Sequence, residues 1–390
     1  MTEDQLVSSS QTVTFRILGL IYLSHFIRHG MVFPLVPLFA QGLGAGAKEI
    51  GLVASSFNLL AMFLAIPIGG IIERAGMKTV LLCGVISNVL ASVLLATAPN
   101  LVMLVAAQIF GGLGFLFLVV SSQTYVSHLT EDHHRERGFG FLALIAAFGF
   151  MLGPPLGGTL SVHFGHRTVF GLSAMLAAIG LAALFLSQDG CGHADDAGTR
   201  DAKMLPQLRT MLSDTSLVSV LLVSFTVVFV VSLRNSFLPV LLKSKHLDEM
   251  TIGVLYGVFA SAMTAVRMII GRVMGRMSRE RLLGLTLLLL AVGHGLLPLL
   301  SVPAWLGVVM FFGGFGFGIS QPLTMVMVSD HSGSGLAMGV RFSTITTATV
   351  LSPLLMGWVV DFGGLELPFY LGAMMILSLG LLLARGAFRS

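Results

Sequence analysis

Acidic residues are missing from the apolar interior of this chain. Its helix-length apolar stretches enclose Arg28, Arg234 and Arg267, while none of the 18 Asp and Glu residues sits comparably deep. Charge of either sign is scarce, at 10% of residues, and the mean hydropathy is +0.93, which together exclude a water-soluble globule. Cysteine is scarce too. Cys83 lies in an apolar stretch and Cys191 in a polar interval, a placement that excludes a disulfide framework and a metal cluster. Residues 1–14 carry Glu3 and Asp4 and no base precedes Arg16, so the basic n-region of a cleaved secretory signal is absent. The first apolar stretch is therefore expected to remain as an anchor.

What is present is apolar length. Stretches of about 20 residues or more, enough to cross a bilayer as helix, run near 15–39, 50–72, 79–98, 101–126, 138–161 and 168–187. Six more follow near 217–242, 250–275, 282–301, 303–328, 337–361 and 367–385. The longest polar interval, 188–216, holds Asp189, Asp195, Asp196, Arg200, Asp201, Lys203 and Arg209 and reads as a linker. This predicts one six-helix bundle over 1–187 and a second over 217–390. With both termini cytoplasmic, bases such as Arg16, Arg74, Lys78, Arg135, Arg137, Arg200, Arg272, Arg276 and Arg389 fall inside. Only Lys48, Arg167, Lys243 and Lys245 fall outside, the asymmetry expected of cytoplasmic loops. The pI of 9.3 is thus a mark of topology. The lipid bilayer is the expected partner, and nucleic acid is not.

The two sets repeat. Ile50-Gly51 and Gly69 return as Ile252-Gly253 and Gly271; Gly140 and Pro154 return as Gly339 and Pro353; Ser122-Gln123 returns as Ser320-Gln321. An offset that stays near 200 residues implies two related bundles in parallel, with a binding site expected at the midplane.

At these landmarks the chain resembles the major facilitator superfamily. The run Gly69-Gly70-Ile71-Ile72-Glu73-Arg74-Ala75-Gly76-Met77-Lys78 is similar to the family's loop motif Gly-x-x-x-Asp-Arg-x-Gly-Arg-Lys, with Glu73 for the Asp and Met77 for a base. The second copy, from Gly271, has Gly275 at the acidic position but keeps Arg272, Arg276, Arg279 and Arg281. The resemblance implies a gate in which Glu73 meets the start of helix eleven near Arg341. Gly140, Gly149, Gly153-Pro154 and Gly157-Gly158 resemble the antiporter motif of the family's exporters. Small residues let helices approach closely, so this stretch is expected to seal against a neighbour from the other half. Gly165-His166-Arg167 resembles the Gly-Trp-Arg turn between helices five and six. Helix four departs from the exporters: Gln108 stands where they carry an arginine, and it cannot titrate.

Arg28 precedes Pro34 in helix one and Arg234 precedes Pro239 in its counterpart, helix seven. The pair has the pattern of an anion clamp, since a guanidinium fork suits carboxylate or phosphate. The alternative is neutralisation by carbonyls, water or an acid such as Asp361. Arg267, one turn before Gly271, reads as a gate residue. His25 and His29 share a helix face with Arg28 near it, and imidazole is the side chain that titrates near neutrality. They are the candidates for a coupling proton where carboxylates are missing. A metal at the two histidines is disfavoured by Arg28, which repels cations. Asn58, Asn235, Ser236, Gln321, Ser343, Thr346 and Thr347 are further candidates to line the site.

The expectation is an all-α membrane protein with the twelve-helix fold of that superfamily. It is a secondary active transporter of the cell inner membrane, monomeric, not an enzyme, and without a cofactor. The function expected is proton-coupled efflux or antiport of an anionic or amphiphilic organic small molecule. An importer or exchanger of small organic anions, such as phosphate esters or carboxylates, stays open. So does a lipid flippase or transport-dead sensor on the same fold.

Overall fold

The computed structural model describes residues 3–64, 67–127, 132–186, 213–274, 276–332 and 335–383. Side chains of 3–16, 69, 73, 132–136, 186, 272–274, 330–332 and 335–336 lie outside that description. Among the described residues there is no strand. A backbone in hydrocarbon has no water to bond, and a helix satisfies it from within. In the first half α1 (Glu3–Val32), α2 (Leu35–Gly42), α3 (Ala47–Leu64), α4 (Ile68–Ala75), α5 (Met77–Thr97), α6 (Leu101–Ser127), α7 (Asp132–Phe164) and α8 (His166–Leu186) follow one another. The second half has α9 (Thr215–Ser244), α10 (Glu249–Met274), α11 (Arg279–Leu296), a short 3-10 turn (Leu297–Leu299), α12 (Pro303–Ser332), α13 (Gly335–Gly363) and α14 (Leu367–Leu382). Among the described residues ten helices are long and apolar enough to cross a membrane, and Ile17–Val32 and Leu367–Leu382 are shorter apolar helices.

Local chemistry explains where helices break. The first expected stretch, 15–39, is two helices because Pro34 has no N–H to continue the ladder, and α2 restarts at Leu35. The second, 50–72, is also two, with Pro67 preceding α4. Gly76 ends α4 at φ +81°, a conformation glycine adopts without strain, and its N–H bonds Ile72 O. That glycine of the loop motif is thus required by the turn itself. Asp214 starts α9 by accepting from the N–H groups of Ser216 and Leu217. At α10, Asp248 accepts from the N–H of Thr251 at 2.8 Å, and its bonds with Thr251 hold its carboxyl below the usual carboxylate value.

The chain forms two compact units. Unit 1 is Met1–Val36 with Ser56–Gly198, and unit 2 is Pro37–Ser55 with Thr199–Ser390. The expected linker, 188–216, lies mostly outside the described residues. The same pairings recur in each unit: α1 on α7, α5 on α6 and α5 on α8, then α9 on α13, α11 on α12 and α11 on α14. Glycines carry the repeat into atomic packing. A Cβ on Gly112 of α6 would meet the Phe57 carbonyl, and one on Gly314 of α12 would meet the Phe259 carbonyl.

The seam between α1 and α7 corrects one expectation. Gly149, Gly153 and Gly157 face Phe26, Gly30 and Met31 of α1 in their own unit, with no room for a side chain. Gly30 and Gly153 bring the two backbones together, and Gly140 has open space around it. Pro154 touches Gly30, and α7 runs on through it. Gly149, Gly153 and Gly157 therefore build unit 1 from within. In unit 2 hydroxyls join the matching pair: Ser352 Oγ donates to Phe229 O at 2.6 Å and Ser232 Oγ to Thr349 O at 3.2 Å. The start of α3 also packs on α13, where Ser55 Oγ donates to Val350 O at 2.7 Å.

Candidate functional site

In unit 1 α1 carries three polar side chains within about one turn, His25, Arg28 and His29. Arg28 is 3% exposed and is held from α5: its Nη1 donates to Ser92 Oγ at 3.2 Å and its Nη2 to Asn88 Oδ1 at 2.5 Å. Both acceptors are neutral, so the guanidinium is bonded but its charge is not cancelled. Its Nε has no partner. The imidazoles of His25 and His29 lie parallel, 6.2 Å between centroids, and Arg28 acts on both electrostatically. His25 is buried with neither ring nitrogen partnered. His29 is half-buried, and among the described residues its ring has no hydrogen-bond partner.

Around His29 stand four half-buried phenylalanines. Phe57 of α3 is 5.1 Å away, Phe115 of α6 5.2 Å, Phe150 of α7 5.7 Å and Phe33 5.9 Å. Glycine contacts put them there. Gly149 brings α7 onto Phe26 and so sets Phe150, while Gly112 brings α6 onto the backbone of Phe57.

Unit 2 holds its arginine differently. Arg234 is 2% exposed; its Nη2 donates to Asn235 Oδ1 at 2.8 Å, and its Cζ lies 3.5 Å from the centroid of the Phe259 ring. Tyr256 OH donates to the Arg234 carbonyl at 3.2 Å. His294, buried on α11 with Nδ1 2.7 Å from Leu290 O, feels the same guanidinium electrostatically. The two arginines singled out as a clamp are therefore each buried among neutral partners of their own unit. Asp361, the acid named as an alternative partner, pairs instead with Lys48 at 2.9 Å, and Lys48 also lies 4.0 Å over Trp358.

The remaining expected residues divide by what they touch. Arg341 of α13 donates through Nη2 to Gln321 Oε1 at 3.0 Å, Gln321 O at 3.2 Å and Thr324 Oγ1 at 3.1 Å, all on α12. Gln321 is thereby committed to Arg341. Ser236 and Thr346 bond carbonyls of their own helices, the common fate of hydroxyls in membrane helices. Asn58, Ser343 and Thr347 are half-buried, and Asn235 accepts from Arg234. Arg74, Arg267 and Gly271 are exposed and Lys78 is half-buried. The side chain of Glu73, like Gly69 beside it, lies outside the described residues, and Gly158 is buried. Arg167 Nη2 donates to Ala98 O at 2.9 Å, which ties the start of α8 to the end of α5.

Sequence reasoning missed Asn88, Ser92, Phe57, Phe115, Phe150, Tyr256, Phe259 and His294. The repeat offered a signal for some of them. At an offset of 202, Phe57 corresponds to Phe259, Phe115 to Phe317 and Ser92 to His294, and a lone Asn88 in an apolar stretch is itself conspicuous.

The family model for the Major Facilitator Superfamily matches residues 18–335 and again 220–389. Multidrug resistance protein 2 of Bacillus subtilis (strain 168) is 20% identical over 389 residues, which covers 96% of this chain and 95% of that protein. Quinolone resistance protein NorA of Staphylococcus aureus (strain Mu50 / ATCC 700699) is 26% identical over 163 residues, 42% of this chain and 41% of that protein. Among solved structures, a point mutant of the nucleoside transporter NupG superposes with a TM-score of 0.83 at 14% identity, over 96% of this chain and 99% of that one. At such identity the likeness shows the fold.

Proposed function

The chain belongs to the Major Facilitator Superfamily and is a multi-pass membrane transporter, not an enzyme; from that premise we propose that it exports an amphiphilic organic molecule in exchange for protons. The observation that carries this reading is His29. It is a half-buried imidazole whose ring has no hydrogen-bond partner among the described residues, next to a buried arginine, in a chain whose apolar stretches hold no acid at that depth. Two relatives are named for drug resistance, which favours export. The bundles 1–187 and 217–390, joined by a cytoplasmic linker and with both termini cytoplasmic, alternate in exposing the site. The turn from Gly69 to Lys78 serves as the gate that holds one access state closed.

Charge logic narrows the cargo. Exchange requires that proton and substrate exclude one another at the site, and such coupling is reciprocal. In an exporter that uses a carboxylate, protonation removes a negative charge. Here it adds a positive one to His29 beside Arg28. An anion would favour that protonated state and so travel with the proton, whereas Arg28 opposes a cation in every state. Exchange at this site therefore goes with an uncharged amphiphile that hydrogen-bonds the neutral imidazole and leaves when the ring is protonated. The anionic cargo considered from sequence goes with co-transport instead.

Reconstituted vesicles with an internal pH indicator test this. Uncharged amphiphile should move uphill against an imposed proton gradient, with protons crossing in the opposite direction. His29→Gln should keep downhill exchange and lose at least about tenfold of the gradient-driven rate, the usual weight of a positioned proton carrier being about 100-fold or more. Transport that ignores the gradient would sink the reading, and protons moving with the substrate would replace exchange by co-transport.

A further inference from the structure

The phenylalanine box around His29 has a shape and chemistry more specific than an apolar wall. Its rings come from four separate places in unit 1, namely Phe33 after α1, Phe57 on α3, Phe115 on α6 and Phe150 on α7, and each is only half-buried. Rings fully committed to the core of a bundle are not left partly open. The rings also contact each other edge to face or tilted: Phe57 with Phe115 at 5.9 Å and 64°, Phe33 with Phe150 at 6.5 Å and 75°. Such an arrangement presents both faces and edges, the two surfaces an aromatic guest uses. At its centre the His29 imidazole offers one donor and one acceptor in its neutral form, neither of them bonded among the described residues.

We propose that this box is a recognition subsite for a flat aromatic ring that is uncharged and bears a hydroxyl or similar hydrogen-bonding substituent. The ring stacks against the phenylalanines, and the substituent bonds His29. Three features select for this class. Four aromatic walls favour a planar π-system over a saturated frame of the same size. Arg28, one residue away and buried, raises the energy of any cation brought to the imidazole. Its two Nη groups each already give a bond to α5, to Ser92 and Asn88, which leaves Nε as its one wholly unbonded donor group and weakens its grip on a carboxylate. This rests on the exporter reading for its role in transport, but the binding itself does not depend on proton coupling.

Equilibrium binding to the full-length detergent-solubilised protein, by calorimetry or thermal shift, separates the two. The probes share a two-ring frame: 2-naphthol, decahydro-2-naphthol, 2-naphthoate and 2-naphthylmethylamine. At pH 7, 2-naphthol is expected to bind about tenfold more tightly than its saturated analogue and than the amine, and more tightly than the naphthoate. Phe57→Leu and Phe115→Leu each remove one aromatic wall and should weaken 2-naphthol about 2- to 10-fold, the worth of one aromatic pair, while leaving decahydro-2-naphthol unchanged. His29→Phe should erase the advantage of 2-naphthol over naphthalene. Equal binding of the saturated and aromatic alcohols to the unmodified protein overturns the box, and needs no variant to fold. Tighter binding of the amine or the naphthoate overturns the charge selection. If 2-naphthol binds as expected but vesicle transport ignores the proton gradient, the subsite stands and the coupling reading falls.

Discussion

Phe57 and Phe115 of unit 1 stand 5.9 Å apart, and their counterparts in unit 2, Phe259 and Phe317, stand 6.1 Å apart. What the two frames hold is different. In unit 1 an imidazole, His29, lies 5.1 Å from Phe57; in unit 2 a guanidinium, Arg234, lies 3.5 Å from Phe259. The arginines explain the exchange. Arg28 is drawn away to α5 by Asn88 and Ser92, whereas the residues at those places on α11 are Leu290 and His294. Leu290 has nothing to offer a guanidinium and the His294 ring is engaged with the Leu290 carbonyl through Nδ1, and Arg234 lies on the ring face instead. A repeated scaffold has thus kept its aromatic frame and redistributed one pair of polar side chains. The aromatic frame of unit 1 is left with an imidazole and that of unit 2 with a guanidinium.

Removing that pair from unit 1 gives the largest effect. Asn88→Leu places unit 2's residue in α5 and deletes the 2.5 Å bond to Arg28. A hydrogen bond to a buried charged group contributes about 1.5–3 kcal/mol, and the guanidinium has Ser92 as its remaining partner at 3.2 Å. Unfolding of the purified protein in detergent should show a loss in that range. Arg28 should also turn toward the aromatic frame as Arg234 does, which would weaken any ligand that bonds His29. An unchanged unfolding midpoint would mean that the bond to Asn88 is incidental and that the two units hold their arginines alike.

Much of this was legible in the sequence, because membrane helices announce themselves by length and hydropathy and because the repeat implies two related bundles. Arg28, Arg234, His25 and His29 stood out for the same reason, as polar residues in hydrocarbon. Their partners did not. Asn88 lies 60 residues from Arg28, and no local pattern links a helix-one guanidinium to one amide on helix three. The exporter glycines were recognised as close-packing residues, but spacing gives the face of a helix and not its neighbour, so their union with Gly30 in the same unit had to be seen. The interruptions at Pro34 and Pro67 were written in the sequence and were masked by the continuous hydropathy around them.

The second test acts on the other arginine. Phe259→Leu keeps apolar volume but removes the ring face under Arg234, a cation–π contact expected to contribute about 2 kcal/mol where water is excluded. Phe57→Leu, at the matching place, has no cation to strand and should cost less stability while weakening aromatic ligands. Measuring both variants for unfolding and for 2-naphthol binding should therefore give opposite rankings. If the two lose equal stability, the ring under Arg234 serves only as packing, and the difference between the units reduces to His29.

The smallest effect is expected at the seam where the units differ in how helices are joined. Ser352 Oγ donates to the Phe229 carbonyl at 2.6 Å, whereas α1 and α7 approach closely through Gly30, Gly149, Gly153 and Gly157. Interhelical hydroxyl bonds in membranes contribute about 0.6 kcal/mol on average, because the separated helices find other partners for the same groups. Ser352→Ala should therefore lower stability by about that amount, close to the resolution of an unfolding measurement in detergent. The glycine seam has no such slack. A methyl group at Gly153 would meet the backbone of Gly30, and relieving it requires one whole helix to shift away from the other, carrying Phe150 with it. The serine-joined seam can lose its bond and keep its geometry, whereas the glycine seam fixes where α7 lies and hence the wall of the box. Ser352→Ala should accordingly leave 2-naphthol binding and transport unchanged, and a loss of either would show that the seam in unit 2 also positions the site.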